Sequence, residues 1–356
     1  MQQITIKAGD AGQRFDKFLK KYLKEAQSSF LYKMLRKKNI TLNAKKADGS
    51  EKLKEGDEVA FFFSEETFAK FRGDNGEAEK ESEKLIKEAR NAYQKIGKLE
   101  VLYEDAHVLL VNKPAGVLSQ KALPQDLSLN EWLIGYLLAK KEITPEQLRT
   151  FHPSVCNRLD RNTSGIVVCG KSLYGSQQMS LALKDRSLHK YYLLYVEGQL
   201  REEKRIEGYL QKDEKTNKVT VSSVQIPDSA RIVTSYRPVL TGTEETLVEV
   251  ELITGKTHQI RAHLASIGFP LVGDYKYGNR TRNEKRKRSY GISHQLLHAY
   301  RVVFPEFTGE LEALSGKEIK APLPEIFRTF GGIEHGNMEF QRTQGFNLGR
   351  FDQPDK

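Results

Sequence analysis

The chain has 356 residues, of which 38% are hydrophobic and 29% charged, and its 57 Lys and Arg against 47 Asp and Glu give a net charge of +10. That length suits two domains at roughly 100–200 residues each. No window approaches the roughly 20 apolar residues of a membrane span, and no signal peptide is visible, so a cytoplasmic protein without membrane contact is expected. The two cysteines, Cys156 and Cys169, exclude a disulfide-stapled scaffold. With no tight ligand cluster around them, they also exclude a zinc site. The positive excess attracts polyanions and makes RNA or DNA the expected partner class.

The first expected element is a helix over 11–24. Phe15, Phe18, Leu19, Tyr22 and Leu23 form an apolar stripe, while Arg14, Lys17, Lys20, Lys21 and Lys24 occupy most other positions. A second helix, capped by Ser28 or Ser29, carries Phe30, Leu31, Met34 and Leu35 and ends in Arg36-Lys37-Lys38, where positive charge suits a helix C-terminus. Short strands follow at 40–42 and 58–63, with a reversal at Glu55-Gly56-Asp57. Residues 1–60 hold 14 Lys or Arg and 8 Asp or Glu, which is +6 of the +10. This is a basic module of about 1–65. From 66 to 98 the apolar density falls; a charged connector is expected there, with an amphipathic helix around Leu85, Ala89, Tyr93 and Ile96.

A larger domain, 99–330, opens with β-rich runs at 99–103 and 107–112, and Lys113-Pro114-Ala115-Gly116 ends the second. Further strands are expected at 165–169, 190–196, 230–234 and 246–252, and helices at 128–140, 172–184 and 257–266. The irregular spacing predicts an α+β fold, mixed and largely antiparallel, rather than a βαβ dinucleotide fold. Gly255-Lys256-Thr257 lacks the preceding glycine-rich loop of a phosphate-binding motif. Asn279 to Tyr290 adds six Lys or Arg and one Glu and is expected to be a disordered or RNA-facing insertion. A polar tail covers 331–356.

Two segments carry the candidate chemistry. In Asn157-Arg158-Leu159-Asp160-Arg161-Asn162-Thr163-Ser164-Gly165, the Thr163-Ser164-Gly165 turn leads straight into a buried strand and holds Asp160 at its lip. In Thr254-Gly255-Lys256-Thr257-His258-Gln259-Ile260-Arg261, helical spacing brings Arg261 one turn after Thr257. Should the two meet, a guanidinium would keep the carboxylate ionised and fix its direction.

Both segments resemble the large ribosomal-RNA pseudouridine synthase family. Its patterns are His-Arg-Leu-Asp with a spacer before Thr-Ser-Gly, and Gly-(Arg or Lys)-(Thr or Ser)-His-Gln-hydrophobic-Arg; Asn157 departs from the first histidine. Lys113 matches the family's Asn-Lys-Pro-x-Gly segment, and Leu271-Val272-Gly273-Asp274 its Leu-x-Gly-Asp pattern. These motifs occur in family order over roughly 99–327. The resemblance implies that Asp160 is the catalytic residue for breaking the uridine N1–C1′ bond and rebuilding it as C5–C1′, through either covalent addition at C1′ or a glycal. It makes Arg261 the counter-ion, Tyr192 an active-site ring and His258 a shaping residue. Arg158 is expected to fill the gap left by an expelled uridine, and Lys113 to support the cleft or the RNA. Thr163, Ser164 and Gly165 support the loop, and neither metal nor organic cofactor is required.

The small module resembles the S4-type RNA-binding domain, through Arg14-Phe15-Asp16-Lys17-Phe18-Leu19, Ser29 to Arg36, Ile40-Thr41-Leu42-Asn43 and Gly56-Asp57-Glu58-Val59. Family members often carry glycine near Asn39 or Ala44, which this chain lacks. Arg14, Lys17, Arg36, Lys37 and Lys38 are its expected RNA contacts. The implied partner is structured RNA, above all large-subunit ribosomal RNA or its assembly precursor, with no obligatory protein partner. A non-catalytic ribosome-binding or assembly protein, a transfer-RNA synthase and an RNA glycosidase are the competing readings.

Overall fold

The structure, a computed structural model, describes residues 1–7, 9–73, 77–213, 216 and 218–331; the expected tail lies outside the described residues from 332 onward. The N-terminal part runs β1 (Gln2–Thr5), α1 (Phe15–Tyr22), α2 (Ser28–Arg36), β2 (Ile40–Leu42), β3 (Lys45–Lys46), β4 (Glu58–Phe61) and α3 (Glu65–Arg72). Its four strands pair in the order β1-β4-β2-β3, all antiparallel. The stripe read from sequence is the buried face of α1, but Gly12 at φ 84 and the extended Arg14 delay the helix start to Phe15. Between β2 and β3, Asn43 and Ala44 both have positive φ, the geometry of a two-residue hairpin that glycine adopts without strain. Asn43 offsets this by bonding Asp57 and the Glu58 amide, each at 2.8 Å.

Phe68 of α3 is buried in the same core as Phe15, Phe18 and Phe61, so this packing unit reaches to residue 72 and not 65. It is tied to the larger part by Arg72–Glu146 at 2.6 Å and Thr150–Asp10 at 2.9 Å. The charged connector is mostly the 20-residue helix α4 (Glu77–Ile96). It docks on α5 (Leu129–Ala139) so closely that a Cβ on Gly135 would collide with the Ala89 carbonyl. The connector therefore belongs to the larger core, beside Trp132 and Tyr136.

The larger part is built on β5 (Glu100–Glu104), β6 (Val108–Lys113), β7 (Ser154–Val155), β8 (Ser164–Gly170), β9 (His189–Glu197), β10 (Lys204–Asp213), β11 (Lys218–Ser222), β12 (Ala230–Thr241), β13 (Glu245–Leu252), β14 (Leu297–Val303) and β15 (Glu318–Lys320). Its helices after α5 are α6 (Leu173–Lys184), α7 (Gln259–Ser266), α8 (Arg280–Tyr290) and α9 (Glu325–Gly331). The sheet order is β11-β10-β12-β13-β9-β14-β8-β6-β5, with β15 on β14 and β7 on β8. Of the described pairs of strands β5 to β15 only β14–β8 is parallel, giving the largely antiparallel α+β fold expected. Every residue of β8 is buried, which explains its unbroken apolar run. Of the two expectations for residues 279–290, a disordered or an RNA-facing insertion, the first fails, because Arg280–Tyr290 is the ordered helix α8. No helix among the described residues is long and apolar enough to cross a membrane.

Candidate active site

Sheet register brings the Asp160 loop near the strand that carries Tyr192. Ala299 of β14 lies opposite Gly165 on one side and Tyr192 on the other, so the Asp160 loop enters the sheet two strands, about 10 Å, from Tyr192. Gly165 has φ 110, and a Cβ there would strike the Ala299 backbone, so only glycine lets β8 pass β14 at this point.

The loop that carries Asp160 is held at several backbone points. Ser119 Oγ accepts from the Leu159 amide and donates to the Leu159 carbonyl, both at 3.0 Å. The Thr163 amide donates to the Asp160 carbonyl at 3.0 Å, and Ser164 Oγ bonds His298 Nδ1 at 2.8 Å. Asn157, where the family has histidine, accepts from the Val168 amide at 2.7 Å and so ties the loop to β8.

Lys113, expected to support the cleft or the RNA, is fully buried and faces the loop rather than RNA. Its ammonium donates to the carbonyls of Pro114, Val117 and Arg161 at 3.1, 2.8 and 3.2 Å. It thus braces the loop from below. Burial pushes its pKa down to about 7, against the opposing pull of Asp160.

On the facing wall, Gln259 closes the turn into α7. Its carbonyl oxygen accepts from Thr254 Oγ1 and the Lys256 amide, and its amide nitrogen donates to the Val233 carbonyl and Thr234 Oγ1. This places Arg261 one turn into the helix, 7% exposed. Its Nε and Nη2 donate to the two carboxylate oxygens of the fully buried Asp274, at 2.7 and 2.9 Å, and its Nη1 donates to Asp160 Oδ2 at 3.0 Å. Burial alone would loosen the guanidinium proton, but Asp274 and then Asp160 more than reverse that. Arg261 is therefore a fixed cation, and the side chain of Asp160 remains 26% exposed at the cleft.

His258 sits at φ 54 just before α7. Tyr277 Oη accepts from the Val219 amide at 3.0 Å and lies 2.9 Å from His258 Nδ1. When the phenol donates to Nδ1 the ring proton sits on Nε2, the nitrogen that faces Asp160 Oδ2 at 3.9 Å. Burial, reinforced by Arg261 and Lys276, lowers the His258 pKa despite Asp160, so the ring is neutral at neutral pH. Tyr192 is 5% exposed. Burial, with the Asp160 charge adding to it, raises its pKa and keeps it a phenol.

Asp160, Tyr192 and His258 line a cleft of about 990 Å³ whose other walls include Arg158, Arg161, Arg186, Lys190, Arg231 and Lys256. Arg158 is exposed there; Arg14, Lys17, Arg36, Lys37 and Lys38 are exposed on the N-terminal part, with Arg14 engaged by Asp16 at 3.1 Å. Sequence reading quoted Asp274 only as part of a pattern and gave Tyr277 and Asn283 no role. Asn283 of α8 accepts from the Gly273 amide and donates to the Asp274 carbonyl, each at 2.9 Å, bracing the carboxylate that holds Arg261. Among the described residues, no group of three or more His, Cys, Asp or Glu is placed to hold a metal.

A carboxylate fixed by a buried cation beside a phenol, in a cation-lined cleft, defines an enzyme site for a polyanionic substrate. The comparisons agree. The family model described as RNA pseudouridylate synthase matches residues 107–266. An RNA pseudouridine synthase of Mycoplasma genitalium, itself uncharacterised, is 31% identical over 83% of this chain and 86% of its own length. Ribosomal large subunit pseudouridine synthase C of Vibrio cholerae is 31% identical over 91% of this chain and 93% of its own, and that of Escherichia coli K12 is 31% identical over 90% and 93%. The structure of human RNA pseudouridylate synthase domain containing 4 shares the fold, with a TM-score of 0.52 at 20% identity, covering 67% of this chain and 94% of that one. The chain belongs to the RNA pseudouridine synthase family and is an RNA pseudouridine synthase.

Proposed function

We propose that the protein isomerises specific uridines of large-subunit ribosomal RNA, with Asp160 as the reacting carboxylate. The observation that carries the reading is the Asp160–Arg261–Asp274 chain. Arg261 occupies one oxygen of Asp160, and the other, Oδ1, has no protein partner among the described residues. A carboxylate paired with a buried cation and directed in this way suits attack at C1′ as the N1–C1′ electron pair leaves with uracil. Removal of the C2′ proton by the same oxygen is the alternative first step. The detached base turns and C5 bonds C1′, expelling the Asp160 carboxylate in the first route, or with return of the proton to C2′ in the second; N1 then gains a proton and C5 loses one. Tyr192, a phenol beside the carboxylate, is placed to stack on the base and assist that proton exchange.

The ribosomal target rests on relatives named as large-subunit synthases at about the same length, and on the basic N-terminal part read as an S4-like RNA-binding module. Extrusion of the uridine from its stack is required to expose C1′, with Arg158 at the cleft wall to fill the space. The test maps pseudouridines in total RNA from cells with the gene, without it, and restored with wild type or Asp160→Asn. One or a few large-subunit sites should disappear and return with wild type alone, and purified D160N should lose roughly a thousandfold or more in rate. Sites lost only from transfer RNA would overturn the ribosomal target. Normal product from folded D160N would overturn Asp160.

A further inference from the structure

α8 has an unusual composition for an ordered surface helix. Of its eleven residues, Arg-Thr-Arg-Asn-Glu-Lys-Arg-Lys-Arg-Ser-Tyr, only Asn283 and Arg286 are buried, and the one large ring, the exposed Tyr290, touches Phe330 edge-on at the last turn. Its inner face is held by polar bonds instead. Arg286 bridges Glu197 and Glu245 at 2.6 and 2.9 Å, Arg282 reaches Glu197 at 3.2 Å, and Asn283 clamps Gly273 and Asp274. Asn279 caps the start, its side chain accepting from the Arg282 amide, and Gly291 ends the helix at φ 72. The helix is thus built to be rigid.

The outer face is a different matter. Arg280, Lys285, Lys287 and Arg288 are exposed, and among the described residues none of the four forms an ion pair. Lys285 and Arg288 stand three apart and repel. Arg280 and Arg282 occupy the first turn, which contains no acidic residue, and cations there oppose the helix dipole. Glu197 and Glu245 are taken up on the inner face, and the helix's own Glu284, one turn from Arg280 and Arg288, is the single carboxylate set against the four outer cations. An extended polyanion laid along that face relieves both penalties.

We propose that the outer face of α8 is a second RNA-docking surface, separate from the cleft, that grips the phosphodiester backbone of the substrate. This deepens the proposed function and rests on its premise of a large structured RNA. Because Asn283 on the inner face braces Asp274, and Asp274 holds Arg261, the surface that grips RNA and the bracket of the catalytic site are two sides of one helix. Backbone contacts set position and carry no sequence information. The surface therefore supplies affinity and registration, while choice of uridine stays with the cleft.

The test compares wild type with Lys285→Gln/Lys287→Gln/Arg288→Gln in the full chain, using an unmodified large-subunit ribosomal RNA transcript and an unrelated structured RNA of similar length. Glutamine keeps helix propensity, and circular dichroism with thermal melting checks that the fold is kept. Binding is measured against salt. Removing three phosphate contacts should flatten the slope of log K against log salt by roughly 2 to 3 on both RNAs. The turnover defect should appear as a raised KM that saturating RNA overcomes. Lys285→Arg/Lys287→Arg/Arg288→Lys, which keeps the charge, should restore the slope. An unchanged slope and Kd in the glutamine variant overturns the proposal, as does an equal loss in the charge-keeping variant. D160N, assayed in parallel for product, separates the two readings: an active D160N defeats the catalytic assignment and leaves the salt result to judge α8.

Discussion

Asp274 grips Arg261 through both carboxylate oxygens, at 2.7 and 2.9 Å, and that grip decides where the remaining guanidinium nitrogen points. Asp274 Oδ1 also accepts the amides of Lys276 and Tyr277 at 2.9 and 3.1 Å. The fully buried carboxylate is therefore saturated, and Nη1 is left for Asp160 alone.

Asp274→Asn replaces one acceptor oxygen with an N–H donor facing a cation. Breaking a buried pair in this way should destabilise the protein by roughly 3 kcal/mol, read as a lowered midpoint in urea. Below that midpoint, single-turnover rates should fall at least about tenfold because Arg261 is free to turn from Asp160. A folded D274N with wild-type turnover would show that Arg261 needs no second anchor.

His258 gives a sharper contrast. Asparagine places its amide near the position of Nδ1 and keeps the contact with Tyr277, whereas glutamine reaches the position of Nε2 and keeps an N–H toward Asp160. If the ring acts by presenting Nε2–H to Asp160, H258N should lose roughly tenfold in kcat with little change in KM, and H258Q should recover much of that loss. Tyr277→Phe, which frees the tautomer, should resemble H258N. Equal losses in H258N and H258Q would reduce His258 to a packing residue.

How much of this was legible in the chain follows from what kind of signal each residue gave. Phe15, Phe18, Leu19 and Tyr22 recur at helical spacing and are the buried stripe of α1. The α5, α6 and α7 helices lie within a residue or two of where apolar spacing put them. β10 was missed because Lys204 to Asp213 alternates charged residues with only Ile206, Gly208 and Leu210 facing the core. α8 was missed for a related reason: its anchors are Arg286 and Asn283, so no apolar period exists to find. Asp160 and Arg261 were paired by motif, and the structure places them 3.0 Å apart. The burial of Lys113 was not legible, because a lysine between an asparagine and a proline gives no sign of the three carbonyls that converge on it.

Buried histidines set an acid limit on the fold. His263, against Thr234 Oγ1 at 2.9 Å, and His298, against Ser164 Oγ at 2.8 Å, are 2% and 0% exposed. Burial lowers each from 6.5 to about 4. With a depressed folded value, the unfolded chain binds more protons between about 4 and 6.5, so stability falls as pH drops through that window. Each site contributes at most about 3 kcal/mol. Urea midpoints measured from pH 7 to 4 should decline, and His298→Gln should show a shallower decline. An identical slope in that variant would place the acid sensitivity elsewhere.

Lys113 makes the opposite end of the pH range informative. Its folded value of about 7 lies below the ordinary 10.5, so from about 7 to 10.5 the unfolded chain again holds more protons and stability should rise with pH. Lys113→Met removes that rise. It also leaves the carbonyls of Pro114, Val117 and Arg161 without the ammonium that joins them. Unsatisfied buried acceptors cost about 1–3 kcal/mol apiece, while loss of a buried cation offsets part of that, so a net destabilisation of roughly 2 kcal/mol is expected at pH 7. Because Arg161 follows Asp160 directly, the slackened loop should also lower kcat more than it raises KM. Equal stability of wild type and K113M across pH 7 to 10 would show that the three carbonyls do not depend on Lys113.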